Sequence, residues 1–302
     1  MTYLLGIDLG GSSVKAVAVT PEGGTLSKYN EPFDADRPLH FAETVQSIVE
    51  RSTTEQGGAP SRIGLSAPGL AAKDARSIAF MPGRLDGLVD LDWTEYLGST
   101  TGVPVLNDAQ AALLGEVWLG AAKGLTNVIL LTLGTGVGGA AMVDGRLLRG
   151  HSGKAGHLGH ITLDMDGAPD VCNVPGSLEV QIGNCTIRER GQGKFETTHK
   201  LIEASRAGDG FAEGVWSRSL KALAVAIGSL TNVLDPEAVI IGGGIARADE
   251  DLFEPLKRAV PNYEWQVCGH QVKILPAELG EFAGAYGAAR QAVISSSAER
   301  LG

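Results

Sequence analysis

Apolar residues along this chain fall into two alternating periods, and the change from one to the other marks out the elements. "YLLGID" at residues 3–8 and "VKAVAVT" at 14–20 read as strands joined by the glycine turn "LGGSS". "HFAETVQSIVERS" at 40–52 has helical spacing, and "RIGLS" at 62–66 is a short strand running into the loop "APGL". "DWTEYLGST" at 92–100 reads as a helix and "VPVL" at 103–106 as a strand. "NDAQAALLGEVWLGAAKG" at 107–124 is a helix opened by Asn/Asp and closed by Gly. The order then repeats: the strand "NVILLTL" at 127–133, the glycine run "GTGVGG", and "AAMVDGRLLRG", a hairpin turning at Asp144-Gly145. Residues 150–180 are irregular and rich in Gly, Pro and Asp. Helix dominates from there to Leu234, most clearly in "SRSLKALAVAIGSLTNVL". The strand "AVIIGGG" at 238–244 leads into another helix, "QVKILPA" is a late strand, and "AGAYGAARQAVISSS" at 283–297 is the last helix. Strands alternating with helices twice over predict two α/β domains with a ligand cleft between them. The two strand–glycine-turn–strand units suggest an old internal duplication.

The length of 302 residues, 43% of them hydrophobic, suits two medium domains or one large one. No apolar run is long enough to span a membrane, and the start "MTYLLGIDLGG" lacks a basic, cleavable leader; the expectation is a cytoplasmic protein without a membrane partner. A net charge of −10 argues against a nucleic-acid partner. Three cysteines, Cys172, Cys185 and Cys268, do not make a disulfide framework, which fits a reducing compartment. Glycine, at 42 residues, is about twice its usual ~7% and is clustered, which points to tight turns and close backbone approach to a ligand.

Four stretches carry candidate chemistry. Asp8 ends an apolar strand just before Gly10, Gly11, Ser12 and Ser13. An acid there is costly unless partnered, and the turn offers backbone N–H groups to phosphate, with Asp8 holding a water of Mg²⁺; an ordinary hairpin with an Asp-satisfied turn is the plainer alternative. "LGTGVGG", Leu133 to Gly139, is a second such hairpin. It precedes a strand, so it is neither a dinucleotide-binding fingerprint nor a P-loop. Two glycine hairpins suit two jaws on one polyphosphate, although each alone is equally a tight turn. "IIGGGIARA" brings a strand to three glycines before a helix, which suits a nucleotide base and ribose or close helix–strand packing. In "LNDAQAA", Asp108 at a helix start is either a plain N-cap or, beside Asn107, part of a grip on an alcohol whose proton it takes during phosphoryl transfer.

Taken together, "GIDLGGSSVK", "APG", "NDAQAALLGE", "LTLGTGVGG", "GRLLRGHSGKAGHLGH", "GSLE" and "IIGGGI", in this order, resemble the ROK family of bacterial sugar kinases, within the actin-like ATPase superfold. The resemblance runs over nearly the whole chain. It implies two actin-like, ribonuclease H-like α/β domains with an active-site cleft between them: residues 1–106 plus the helix at about 283–302 as the smaller, and 107–282 as the larger. It further implies ATP and Mg²⁺ as cofactors, with Asp8, Gly10, Gly11, Ser12, Ser13 and Lys15 on one side of the phosphates. Gly134, Thr135, Gly136 and Gly138 would lie on the other, and Gly243 and Gly244 at the adenosine. Gly69, Asn107, Asp108, His157, His160 and Glu179 would hold the sugar, with Asp108 as general base. The implied reaction is ATP-dependent phosphorylation of a hexose, foremost glucose at its 6-hydroxyl, by a homodimer, with closure of the cleft excluding water. N-acetylhexosamine, mannose, fructose, allose or a polyol stand as alternative acceptors, and polyphosphate as an alternative donor. The family also includes regulators with an added N-terminal helix-turn-helix; a first strand at Tyr3 leaves no room for one, although a non-catalytic sugar binder stays open.

The chain departs from the family pattern at one place. Where the family has Glu-x-Gly-His, this chain has His157-Leu158-Gly159-His160, so an imidazole replaces a sugar-binding carboxylate. A carboxylate accepts from two hydroxyls, whereas neutral imidazole offers one acceptor and one donor. The family's three zinc-binding cysteines align here with Asp170, Cys172 and Ser177. Only His160 and Cys172 remain of the usual donor set, so zinc is not expected; the alternative reading takes Asp170 as a third ligand and His157 as a fourth. The loop then needs another fastening and His160 another orienting partner.

Overall fold

The computed structural model describes residues 2–299 and forms two compact units. The first comprises residues 1–124, 149–155 and 278–302, of which Met1 and residues 300–302, the end of the expected last helix segment, lie outside the described part. It is built from β1 (Leu4–Leu9), β2 (Ser13–Val19), β3 (Thr25–Pro32), α1 (His40–Glu55), β4 (Arg62–Ala67), the small ribbon of β5 (Leu70–Ala71) and β6 (Ile78–Phe80), α2 (Trp93–Tyr96), β7 (Val105–Asn107) and α3 (Asp108–Leu119). Its sheet has the order β3-β2-β1-β4-β7, antiparallel on the hairpin side and parallel across β1, β4 and β7.

The second unit holds residues 125–148 and 156–277. It contains β8 (Val128–Leu133), β9 (Val137–Val143), β10 (Arg146–Leu147), α4 (Leu178–Ile182), α5 (Ile187–Arg190), α6 (Thr198–Arg206), α7 (Gly210–Leu234), β11 (Ala238–Gly242), α8 (Glu250–Ala259) and β12 (Lys273–Pro276). Its sheet order, β10-β9-β8-β11-β12, repeats that of the first unit, hairpin side and parallel side alike. The two strand–turn–strand units seen in the sequence are therefore the matching first hairpins of two like sheets. The chain returns to the first unit through α9 (Ala283–Glu299).

The period-2 rule shows how β1 is used. Leu5, Ile7 and Leu9 pack with Phe41, Val45 and Ile48 of α1, while Leu4 faces Ala285, Tyr286 and Ala289 of α9. Both faces of the strand are thus covered, which is why it reads as a nearly unbroken apolar run. α9 reaches the sheet because glycines clear its way. An added Cβ at Gly6 would lie 2.6 Å from the Ala289 backbone N, and one at Gly287 would lie 2.5 Å from the Ala111 carbonyl carbon on α3. Those backbone atoms cannot swing aside, so glycine's cost in helix propensity, about 1 kcal/mol, is outweighed by the close packing it permits. In the second unit, α7 is capped by Asp209, which accepts from Phe211 N and Ala212 N, and it ends at Asp235 in the left-handed region (φ 46°). It buries Leu223 and Ile227 with Ile129 and Leu131 of β8.

Several elements differ from the sequence reading, among them the small ribbon of β5 and β6, which was not expected. β3 is an unexpected edge strand; of its residues only Tyr29 is fully buried, so it carries little apolar alternation. The helix expected over 92–100 stops at Tyr96, because the chain turns left-handed at Gly98 (φ 56°). "IIGGGI" does not enter an α-helix directly; a short 3₁₀ turn, Ile245–Ala248, precedes α8. The Asp144-Gly145 turn has φ of 50° and 72°, positive at both central residues as a type I′ hairpin requires. Among the described residues no helix is long and apolar enough to cross a membrane.

Candidate functional site

In the first unit, Asp8 lies on the α9 face of β1, opposite Lys15 on β2 and Ser66 on β4. The Ser66 hydroxyl donates to Asp8 Oδ1. Gly284, near the start of α9, leaves room for the carboxylate; a Cβ there would lie 2.6 Å from Asp8 Cγ. Burial pushes the Asp8 pKa up from 3.8 to about 6; the Ser66 hydrogen bond opposes this, the nearby negative charge of Asp108 adds to it, and Lys15 opposes it. Asp8 and Asp108 are thus close enough to feel each other, as their assignment to one site requires.

The turn after β1 is closed by Gly10 N donating to Ser13 O at 2.9 Å, and it leaves Gly11 and Ser12 exposed. Lys15 Nζ lies 3.4 Å from Ser13 Oγ and 3.8 Å from Glu281, which places its charge beside the turn. At the other strand end, Asn107 rather than Asp108 caps α3. Its Oδ1 accepts from Ala109 N at 3.0 Å, and its Nδ2 donates to Gly69 O at 2.9 Å. Asn107 is buried and therefore ties the "APGL" loop to the helix start, with Gly69 at φ 101°. Asp108, freed from the capping position, sits exposed in the first turn, where Ala109 N donates to its Oδ1 at 2.8 Å. The positive field of the helix start favours a negative charge at this position.

In the second unit, the β8–β9 hairpin tip is Gly134-Thr135-Gly136. Its carbonyls are held from behind: Asn184 N donates to Gly134 O at 3.0 Å and Cys185 N to Thr135 O at 2.8 Å. Gly138 lies within β9, paired with Thr132, two residues past the tip. Behind the 183–185 turn, Arg190 donates to Gly183 O (2.7 Å), Ser219 Oγ (2.6 Å) and Thr186 Oγ1 (3.1 Å). Burial brings its pKa down to about 10, so it stays protonated near neutral pH. Glu179, buried at the start of α4, accepts from Val137 N at 2.9 Å, and a side chain at Gly136 would strike its carboxylate. Gly243 (φ 88°) passes close to the β8 backbone, where a Cβ would lie 2.7 Å from Leu133 N. Gly244 has no atom within 4 Å of where its Cβ would be, and its carbonyl accepts from His199 Nε2 at 3.0 Å.

Ser66, Gly284 and Arg190 were not singled out from the sequence. Ser66 had a signal, since any residue in parallel register beside a strand-end acid is a candidate partner. Arg190, in the polar run "IRERGQG", had none.

The stretch 156–179 is less irregular than its composition suggests. Bridges Thr162–Ser177 and Pro169–Pro175, with Leu163 N donating to Gly176 O at 2.9 Å, make it a hairpin-like excursion turning at residues 170–174. His157 precedes the 3₁₀ turn Leu158–His160, and Leu158 packs on β9 at Gly139. His160 Nδ1 lies 2.7 Å from Asp170 Oδ2, and its Nε2 lies 3.6 Å from Cys172 Sγ. Asp170 Oδ1 accepts from Cys172 N at 2.8 Å and Val174 N at 3.0 Å. Burial alone would raise the Asp170 pKa; the hydrogen bonds from His160, from the Ser177 side chain and from the two backbone N–H groups outweigh it and hold the carboxyl below its usual value. Burial, then the charges of Asp170 and Glu179, push the Cys172 thiol up, away from the thiolate that a metal takes.

His160, Asp170 and Cys172 are the one group of three or more potential metal ligands among the described residues. They do not fit a closed structural zinc site. Asp170 and Cys172 address opposite nitrogens of one imidazole, so a single ion cannot take both together with the same ring nitrogen. Three donors also fall short of the four such a site uses. Ser177 is buried and offers a hydroxyl where the pattern has a cysteine.

The chain matches the ROK family over residues 4–293. It is 32% identical to a glucokinase of Thermotoga maritima, covering 95% of this chain and 96% of that protein. Among solved structures, a ROK hexokinase from Thermus thermophilus is similar with a TM-score of 0.87, 32% identity and 98% and 99% of the two chains covered. A ROK family glucokinase from Streptomyces griseus, in complex with glucose and AMPPNP, has a TM-score of 0.75 and 26% identity over 97% and 99% of the chains.

Proposed function

The chain belongs to the ROK family, and we propose that it is an ATP-dependent hexose kinase that transfers the γ-phosphoryl group to the 6-hydroxyl of glucose. The observation that carries this reading is the placement of Asp108. It is exposed in the first turn of α3, next to an Asn107 that pins Gly69, and within electrostatic reach of Asp8. Asp108 takes the proton of the attacking hydroxyl as the phosphoryl group moves. Gly69, Asn107, His157, His160 and Glu179 are the residues proposed to contact the sugar. The Gly134–Gly136 hairpin holds the ATP phosphates, and the open surface at Gly244 suits the adenosine. The exposed Gly11-Ser12 turn with Lys15 beside it suits phosphate as well. Asp8, with its raised pKa, fits a carboxylate that gains by facing a cation, and it would hold Mg²⁺ through water. When bound, that ion neutralises phosphate charge. Relatives that are glucokinases, one of them seen with glucose and an ATP analogue, support this assignment.

The test is an ADP-release assay over glucose, mannose, fructose, allose, N-acetylmannosamine and a polyol, run with ATP and with polyphosphate. Glucose with ATP is expected to give the highest kcat/KM. A clear preference for the amino sugar would reassign the substrate and trace it to His157; no turnover with any sugar would overturn the kinase reading.

A further inference from the structure

The loop 156–179 has Asp170 and Ser177 where the family pattern has two of its cysteines, and yet its tip is fastened. We infer that Asp170 takes the place of a metal ion as the fastening of this loop and acts as the positioning residue for His160. The carboxylate bonds through both oxygens: Oδ2 with His160 Nδ1, and Oδ1 with the N–H groups of Cys172 and Val174. Its side chain is 1% exposed, so its oxygens are covered by these partners and not by water. These bonds brace the turn at residues 170–174 and tie it to His160 on the incoming arm by charge-assisted hydrogen bonds instead of coordination.

The arrangement also fixes the ring chemically. An ionised carboxylate only accepts, so the proton of a neutral His160 resides on Nδ1, and Nε2 carries a lone pair. His160 is 24% exposed, and its Nε2 meets only the exposed Cys172 thiol, at a long 3.6 Å. A sugar hydroxyl can displace that weak partner and donate to Nε2. An ion on Nδ1 would evict Asp170, and an ion on Nε2 would leave Asp170 in place but consume the acceptor, so metal binding and the sugar contact at Nε2 exclude each other. The sugar-facing half of the inference rests on the reading of His160 as a substrate contact.

The test has arms that fail separately. Protein expressed with added zinc is expected to contain far less than one zinc per chain, and its melting temperature is expected to stay unchanged with a strong chelator. The ring ¹⁵N shifts of His160, assigned by comparison with His160→Gln, should report the Nδ1–H tautomer. One zinc per chain with a melting temperature that falls on chelation, or an Nε2–H tautomer, would overturn the fastening. Asp170→Ala should raise the glucose KM about tenfold while kcat changes far less, the scale on which loss of an orienting partner acts; Asp170→Asn, which keeps the shape and one acceptor, should fall between. Unchanged KM in Asp170→Ala, with the tautomer preference lost, would leave the fastening in place and remove His160 from the sugar contacts.

Discussion

Asp108→Ala is expected to lower kcat for glucose phosphorylation by about 10²–10⁴-fold, the usual contribution of a positioned general base, while the Kd for ATP stays within about twofold. The reasoning is local to the start of α3. Asp108 is exposed and is not the residue that caps the helix; Asn107 makes that bond to Ala109 N. Its removal leaves the Asn107 cap in place and costs the bond from Ala109 N to Asp108 Oδ1 together with the favourable interaction of one acid with the helix dipole, the latter about 0.3–1 kcal/mol. The variant should fold and bind nucleotide with its proton acceptor missing. Asp108→Asn, similar in shape but unable to take a proton, should be impaired to a comparable degree. Near-normal turnover in either would remove Asp108 from the reaction.

Asp8→Asn should show opposite effects on stability and on catalysis. Its pKa is raised from 3.8 to about 6, so the folded protein holds the Asp8 proton more tightly than the unfolded chain does. Ionising Asp8 therefore costs stability: the penalty is absent below 3.8, grows between 3.8 and 6, and is complete above about 6. The difference amounts to up to about 3 kcal/mol. Asparagine carries no charge and can still accept from Ser66. The ligand-free variant should thus be more stable than the parent by about 1–3 kcal/mol at neutral pH, with the gain vanishing towards pH 4. Activity should fall by about 10²-fold or more, the scale of losing one group aimed at the charge of the reacting phosphates. Urea unfolding at the two pH values reads the first effect and the coupled assay the second. A variant less stable than the parent at neutral pH would mean that Asp8 is a structural hairpin residue.

Most of the scaffold around these acids was legible because it follows from period and turn chemistry. β1, β2, α1, β8 and the Asp144-Gly145 hairpin are read from alternation, helical spacing and the demand for positive φ. β3 was not legible, because an edge strand with one fully buried residue has almost no alternation to read. The penetration of α9 was hidden for a related reason. "AGAYGAAR" is small and apolar all round, and what it buries against depends on glycines at positions 6, 64 and 115, far away in sequence. At the site, the sequence placed Asp8, Asn107 and Asp108 at their strand and helix ends but left open which of the last two caps the helix. The Asn107 cap decided it by leaving Asp108 exposed. Asp170 was visible only as a departure from a cysteine pattern. Its partner His160 stands ten residues earlier in a segment without periodicity, so only the folded loop joins them.

The central claim is tested most directly by following ATP and glucose with the purified protein by ³¹P NMR and identifying the product. Glucose 6-phosphate and ADP appearing one for one, and absent with Asp108→Ala although ATP still binds, is the predicted result. Orthophosphate accumulating while glucose stays unmodified would contradict it.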